Sequence, residues 1–182
     1  LSWSPDYCAA KKDNDPQQCT VGKKLGFVLH GLWPQYTQGF PSDCSNEKLA
    51  KDAKAKFPGL YPSDALYAHE WEKHGTCSGL GPQDYLALSK KLKESVAIPA
   101  NYKSPAQPFR TTPAALKQDF IAANPKLSDH ALAVYCSGAG RFLKEVFFCY
   151  SPKGAPIACG QEVLNRANKS CGQTDLLVRN VK

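Results

Sequence analysis

The sequence predicts an α+β domain in which several helices pack on one largely antiparallel β-sheet, closed by four disulfides. Three observations carry that expectation. Strand-like runs rich in Val, Tyr, Phe and Leu stand near both ends of the chain; the middle is built of alanine-, lysine- and leucine-rich stretches punctuated by Pro and Gly; and eight cysteines are spread along the length with no Cys-x-x-Cys pair among them. With 182 residues, 42% of them hydrophobic, the chain suits a single domain over residues 1–182 that buries on the order of 70% of its unfolded surface.

Residues 6–24 are polar, hold Cys8, Pro16 and Cys19, and read as a loop stapled onto the next segment of chain. Residues 26–32 carry the apolar run Phe27-Val28-Leu29 and read as a buried strand with His30 near its end. A loop with Gly39, Pro41 and Cys44 leads to residues 47–57, helical by propensity and stopped by Pro58-Gly59. Ser63 or Asp64 can cap the helix that carries the histidine-rich stretch beginning at His69, with Gly75 as its expected left-handed terminator. Pro82 suits a first helical position, and Tyr85, Leu86, Leu88 and Leu92 give an apolar stripe to about Val96. Prolines 99, 105 and 108 make residues 99–110 an extended loop. Thr112-Pro113 opens a helix with Leu116, Phe120 and Ile121 inward, stopped by Asn124-Pro125. Residues 131–137 and 142–150 form an antiparallel pair across a Gly138-Ala139-Gly140 turn, and residues 176–178 form a last strand.

Eight cysteines in an even set favour an oxidising compartment. Zinc is the competing use of so many thiols, and the missing Cys-x-x-Cys spacing argues against it. Formally 105 pairings are open. Short loops suggest Cys8 with Cys19 and Cys149 with Cys159, which would leave Cys136 with Cys171 and Cys44 with Cys77. No run approaches the ~20 apolar residues of a membrane span. The opening Leu1-Ser2-Trp3-Ser4-Pro5 lacks a signal-peptide core, and the chain has no Met, the expectation for a soluble mature chain whose targeting segment has been removed. Lysine and arginine number 23 against 16 acidic residues, a net charge of +7. Polyanions are natural partners of such a chain, although charge that serves only solubility looks the same.

The chemistry concentrates in residues 69–77, His-Glu-Trp-Glu-Lys-His-Gly-Thr-Cys. On a helix, about 100° per residue puts His69, Lys73, Glu70 and His74 on one side and Trp71 on the other. Metalloprotease helices need histidines at i and i+4, and Lys73 occupies the second position, which argues against zinc chemistry. As an acid–base site the same residues are coherent: Glu70 and His74 are i, i+4 neighbours able to hold each other, and Lys73 supplies positive charge for an anionic transition state. A solvated face of helix ion pairs is the competing reading. Residues 27–34, Phe-Val-Leu-His-Gly-Leu-Trp-Pro, form a second constellation, in which Gly31 lets another group approach closely beside His30 and Trp33.

The two segments resemble the active-site signatures of the ribonuclease T2 family, His-Gly-Leu-Trp-Pro and His-Glu-x-x-Lys-His-Gly-x-Cys, and both match without a gap. The opening residues 1–8 are similar to the family's first strand and first cysteine. The resemblance implies endonucleolytic cleavage of single-stranded RNA by transesterification through a 2′,3′-cyclic phosphate, with no metal or other cofactor, by a monomer that leaves DNA intact. RNA carries its own nucleophile, so the enzyme must supply a base, an acid and positive charge for the phosphorane. By position His74 resembles the base, His30 the acid, Glu70 and Lys73 the pair supporting the pentacoordinate state, and His69 the phosphate-binding histidine. Imidazoles titrating near 6.5 allow one neutral and one protonated ring together at mildly acidic pH, which gives a bell-shaped profile.

Trp33 resembles the residue that stacks on the base 5′ of the cut, and stacking tolerates any base. Gln35 stands where some members carry an acidic residue that reads adenine, so a strong adenine preference is not expected. Leu66 stands where an aromatic often helps form the second base site, implying weaker stacking of the 3′ nucleotide; Tyr36 and Phe40 are candidates for additional walls. The resemblance also supports a Cys44–Cys77 bridge. His130 lies outside both motifs and reads as a surface or structural residue. Asn168-Lys169-Ser170 is a glycosylation sequon in a eukaryotic source. The expected location is secreted or periplasmic, or vacuolar or lysosomal in a eukaryote. The alternative is a basic secreted protein of the same fold that binds RNA or a protein without cleaving.

Overall fold

The most regularly apolar run of the sequence, in its last third, forms the centre of a six-stranded sheet. A computed structural model describes residues 1–11 and 15–182. Its strands are β1 (Ser2–Trp3), β2 (Phe27–Val28), β3 (Phe109–Thr111), β4 (Leu132–Ser137), β5 (Phe142–Phe148) and β6 (Leu176–Val178). Its helices are α1 (Ser4–Lys11), α2 (Pro16–Cys19), α3 (Lys51–Ala55), α4 (Asp64–Lys73), α5 (Pro82–Glu94), α6 (Pro113–Ala123) and α7 (Gln161–Ser170). The class is α+β, with four disulfides: Cys8–Cys19, Cys44–Cys77, Cys136–Cys171 and Cys149–Cys159.

Two compact units are distinguishable, residues 1–28 with 96–182 and residues 29–95. The first holds the whole sheet, in the order β2-β1-β5-β6-β3 with β4 also on β5. All pairings are antiparallel except β5 with β6. Its core gathers Trp3, Leu116, Phe120, Leu132, Leu143 and Val146. Thr112 caps α6 by accepting from Ala115 N–H at 3.0 Å, as Thr-Pro at a helix start leads one to expect. The second unit contains α3, α4 and α5, packed through Tyr61, Tyr67, Trp71, Tyr85 and Leu86.

Several expectations fail for local reasons. The polar stretch 6–24 is not only loop, since α1 and α2 lie in it; Asp15 caps α2 by accepting from Gln18 N–H at 3.2 Å, and residues 12–14 of that stretch lie outside the described residues. The strand expected over 26–32 is two residues long, and His30, Gly31, Leu32 and Trp33 lie beyond it in irregular chain. The helix expected over 47–57 shrinks to α3, because Ala50 is extended and the Glu47 carbonyl is taken by Trp71 Nε1 at 3.0 Å. Tertiary bonds outweigh helix propensity there. Residues 99–110 include a 3₁₀ turn (Ala100–Tyr102) that buries Tyr102, and they run into β3.

Helix α7 has no counterpart among the sequence-based expectations. Its polar composition hid a narrow inward face, of which Ala167 is buried, and the sequon residue Asn168 lies exposed on it. Gly75 is not the left-handed terminator of α4, since its φ is not positive. It opens a 3₁₀ turn (Gly75–Cys77), and a Cβ there would stand 2.4 Å from the Trp71 ring. Gly75 is needed for space. No helix among the described residues is long and apolar enough to cross a membrane.

Candidate active site

Residues 29–95 contain every residue of both signature motifs, so the site is built inside one unit. On α4, Tyr67, Glu70 and Trp71 are buried while His69 is exposed. Trp71 anchors the helix against Tyr85 of α5, the ring centroids 5.8 Å apart. That packing drives the neighbouring Glu70 inward to 0% exposure. A carboxylate so placed must find donors, and the first motif provides one: Trp33 Nε1–H donates to Glu70 Oε2 at 2.7 Å. His30 Nε2 stands 3.9 Å from Glu70 Oε1.

His74 ends α4 rather than continuing it. It caps α4 with φ −122° and ψ −42°, its N–H on the Glu70 carbonyl at 3.1 Å. Its imidazole meets Trp33, ring centroids 5.2 Å apart, and His30 meets the same indole edge-on at 4.9 Å. Glu70 is held from the first motif, and Trp33 joins both histidines.

Gly31 makes this approach feasible. A Cβ at residue 31 would lie 1.8 Å from Glu70 Oε2 and 2.4 Å from Trp33 Nε1, so no larger residue fits beside the carboxylate.

His74 is 7% exposed, and its Nδ1 is buried without a hydrogen-bond partner among the described residues. Burial, followed by the charges of Lys73, His69 and His30, lowers its pKa from the ordinary 6.5 to about 4, against a smaller opposing effect of Asp43. The imidazole is neutral over most of the acidic range. Burial and the neighbouring positive charges both act against the protonated ring.

The loop after Trp33 is tied to the end of α4 twice. Asp43 N–H donates to the Lys73 carbonyl at 2.9 Å, and Cys44 is bonded to Cys77 with Cα atoms 5.1 Å apart. Closing a loop of 33 residues restrains the unfolded chain by up to about 4 kcal/mol. We expect Cys44→Ala with Cys77→Ala to lower turnover more than it changes the ranking of dinucleotide substrates; full turnover in the double variant would sink that expectation.

The other residues singled out in the sequence lie outside this cluster. Gln35 is exposed, with its amide on the Pro34 carbonyl at 3.0 Å. Tyr36 and Phe40 are 65% and 47% exposed on a turn closed by Tyr36 N–H to Gly39 O. Leu66 is half-buried near the start of α4, one turn before His69 and Glu70. His130 is exposed in a 3₁₀ turn. Among the described residues no group of three or more His, Cys, Asp or Glu side chains could hold a metal ion. Sequence reasoning missed Asp43 and the hydroxyl of Tyr85; only the spatial neighbourhood of His74 and of residues 31–33 brings them out.

An irregular loop and a helix end thus bring together two imidazoles, a buried carboxylate and an ammonium, residue types able to exchange protons and to face an anion. The chain belongs to the Ribonuclease T2 family, whose model matches residues 1–159. It is 41% identical to a ribonuclease of Aeromonas hydrophila over all of this chain and 84% of that protein. It is 29% identical to a probable ribonuclease of Haemophilus influenzae, covering 87% of this chain and 58% of that one. In fold it resembles ribonuclease MC1 from bitter gourd seeds, with TM-score 0.67 and 21% identity over 85% of this chain and 88% of that chain. A variant of the same RNase MC1 in complex with 5′-UMP gives TM-score 0.74 and 19% identity over 96% and 93% of the two chains.

Proposed function

We propose that this protein is an endoribonuclease of low base specificity that cleaves single-stranded RNA by metal-independent transesterification. His74 takes the 2′-OH proton, the 2′-oxygen attacks the adjacent phosphorus, and His30 protonates the departing 5′-oxygen, leaving a 2′,3′-cyclic phosphate. Lys73 and His69 supply positive charge to the phosphate, and Glu70 with Lys73 supports the pentacoordinate state. The observation that carries this reading is the pairing of a buried imidazole lowered to about 4 with a second imidazole 3.9 Å from a buried carboxylate. A neutral base and a separate proton donor are what the reaction requires.

Trp33 is assigned to the base 5′ of the cut, with its indole N–H also holding Glu70. Tyr36 and Phe40, both exposed, offer further stacking faces, Leu66 offers a weak one for the 3′ nucleotide, and Gln35 is not expected to impose adenine. Binding weakens with salt, as for any basic protein that displaces counterions from a phosphate chain. The enzyme acts as a monomer in an oxidising compartment, secreted or periplasmic, where four disulfides persist.

The test is incubation of pure protein with RNA and with DNA in EDTA. Cyclic phosphates from RNA and intact DNA are the expected result; no cleavage, or cleavage only after metal is added, would refute the reading. The acid limb of kcat/KM is expected near pH 4, where His74 gains its proton. Because the Lys73 ammonium helps to keep that proton off, Lys73→Met moves the limb to higher pH while lowering the maximal rate. A pH profile whose acid limb stays in place counts against His74 as the base.

A further inference from the structure

In the sequence Tyr85 has no role beyond the apolar stripe of α5, and its ring does serve the core. It is 0% exposed, and a Cβ on Gly75 would lie 3.1 Å from its Cδ1. Its hydroxyl, however, is directed at the main chain of the site. It donates to the Leu32 carbonyl at 2.9 Å and stands 3.4 Å from the Glu70 carbonyl. Leu32 lies between Gly31 and Trp33, and the Glu70 carbonyl is the one that accepts the His74 N–H. One phenol thus touches the backbone of both motifs at the point where they meet.

We infer that Tyr85 is a positioning residue for the reaction, holding the 31–33 segment in register against Glu70 and His74 through their backbones. The hydroxyl meets no substrate. It sets the peptide from which Trp33 reaches Glu70 and the carbonyl from which His74 hangs, and an error of about 1 Å in such a frame can cost up to 10²-fold in rate. Burial raises the phenol's pKa, which favours the protonated, donating form. The plain alternative is that a buried hydroxyl needs any acceptor and happened on Leu32.

Tyr67 separates the two readings. It is a buried tyrosine of the same unit whose hydroxyl binds Phe57 O and Leu60 N, away from both motifs. Tyr85→Phe and Tyr67→Phe are to be compared in dinucleotide kinetics and in NMR titration of the histidines. We expect Tyr85→Phe to lower kcat by about tenfold or more with KM within about twofold, and to shift the His30 or His74 titration. Tyr67→Phe leaves kcat and both titrations as in the wild type. Placing 4-aminophenylalanine at residue 85, which restores a donor, should recover most of kcat.

The role rests on the transesterification reading, and the two fail differently. Wild-type protein that leaves RNA uncut overturns the reading, and the role with it. Wild-type protein that cleaves, with Tyr85→Phe matching Tyr67→Phe in kcat and titration, overturns the role alone. A Tyr85→Phe protein that does not fold assigns the hydroxyl to stability and overturns it as well.

Discussion

His74→Ala is expected to lower kcat/KM on RNA by about 10²- to 10⁴-fold, the usual worth of a positioned general base, and at the same time to make the protein more tolerant of acid. The two effects share one cause. The folded state holds His74 at about 4 where the unfolded chain has 6.5. Between those values the unfolded chain binds a proton that the folded one refuses, so acidification favours unfolding across that window. The penalty is absent above about pH 6.5 and complete below about pH 4, amounting to at most about 3 kcal/mol. Alanine removes it, and removes a buried Nδ1 with no partner among the described residues. Thermal melts at pH 7 and pH 4 should therefore converge in the variant relative to the wild type. An unchanged gap would mean that His74 titrates normally, and undiminished cleavage would remove it from the mechanism. His30→Ala should lose rate on the same scale, as the removal of a general acid does.

Gly31→Ala carries the second large effect, although it deletes no chemical group. The added methyl would stand 1.8 Å from Glu70 Oε2, and Glu70, at 0% exposure, cannot swing into solvent. The carboxylate must shift or the 31–33 segment must back away, and either breaks the 2.7 Å bond from Trp33. Overpacking of this kind costs typically about 1–3 kcal/mol of stability, and a displacement near 1 Å at a catalytic centre costs about 10²-fold in rate. Gly81→Ala is the control, since a Cβ there meets nothing within 4 Å. Activity of Gly31→Ala within a few-fold of Gly81→Ala would show that the close approach is dispensable.

The side chains of the candidate site were legible because His30 and Trp33 share one short segment, and because His69, Glu70, Lys73 and His74 crowd into another. Their partners were not. Helical spacing pointed Glu70 at His74, four residues on, whereas the carboxylate bonds to Trp33, 37 residues away in the chain. The i, i+4 rule presumes helix at both positions, and His74 leaves helical backbone at the cap. In the fold, runs rich in Val, Tyr, Phe and Leu across a Gly-Ala-Gly turn marked β4 and β5 and Pro-initiated starts marked α5 and α6, while α1, α2 and α7 were lost behind polar composition.

Residue type and local spacing were enough to establish the chemical inventory: which groups can exchange protons, which cysteines are available, and that Gly31 and Gly75 sit beside them. How that inventory is used was settled only on folding. The packing of Trp71 buried Glu70, the fold set His74 against Trp33 in a place where burial and neighbouring charge lower its pKa, and α5 brought the Tyr85 hydroxyl to both motifs. Each of these depends on which atoms are excluded from water and which dipoles face one another, and contacts between residues dozens of positions apart set both.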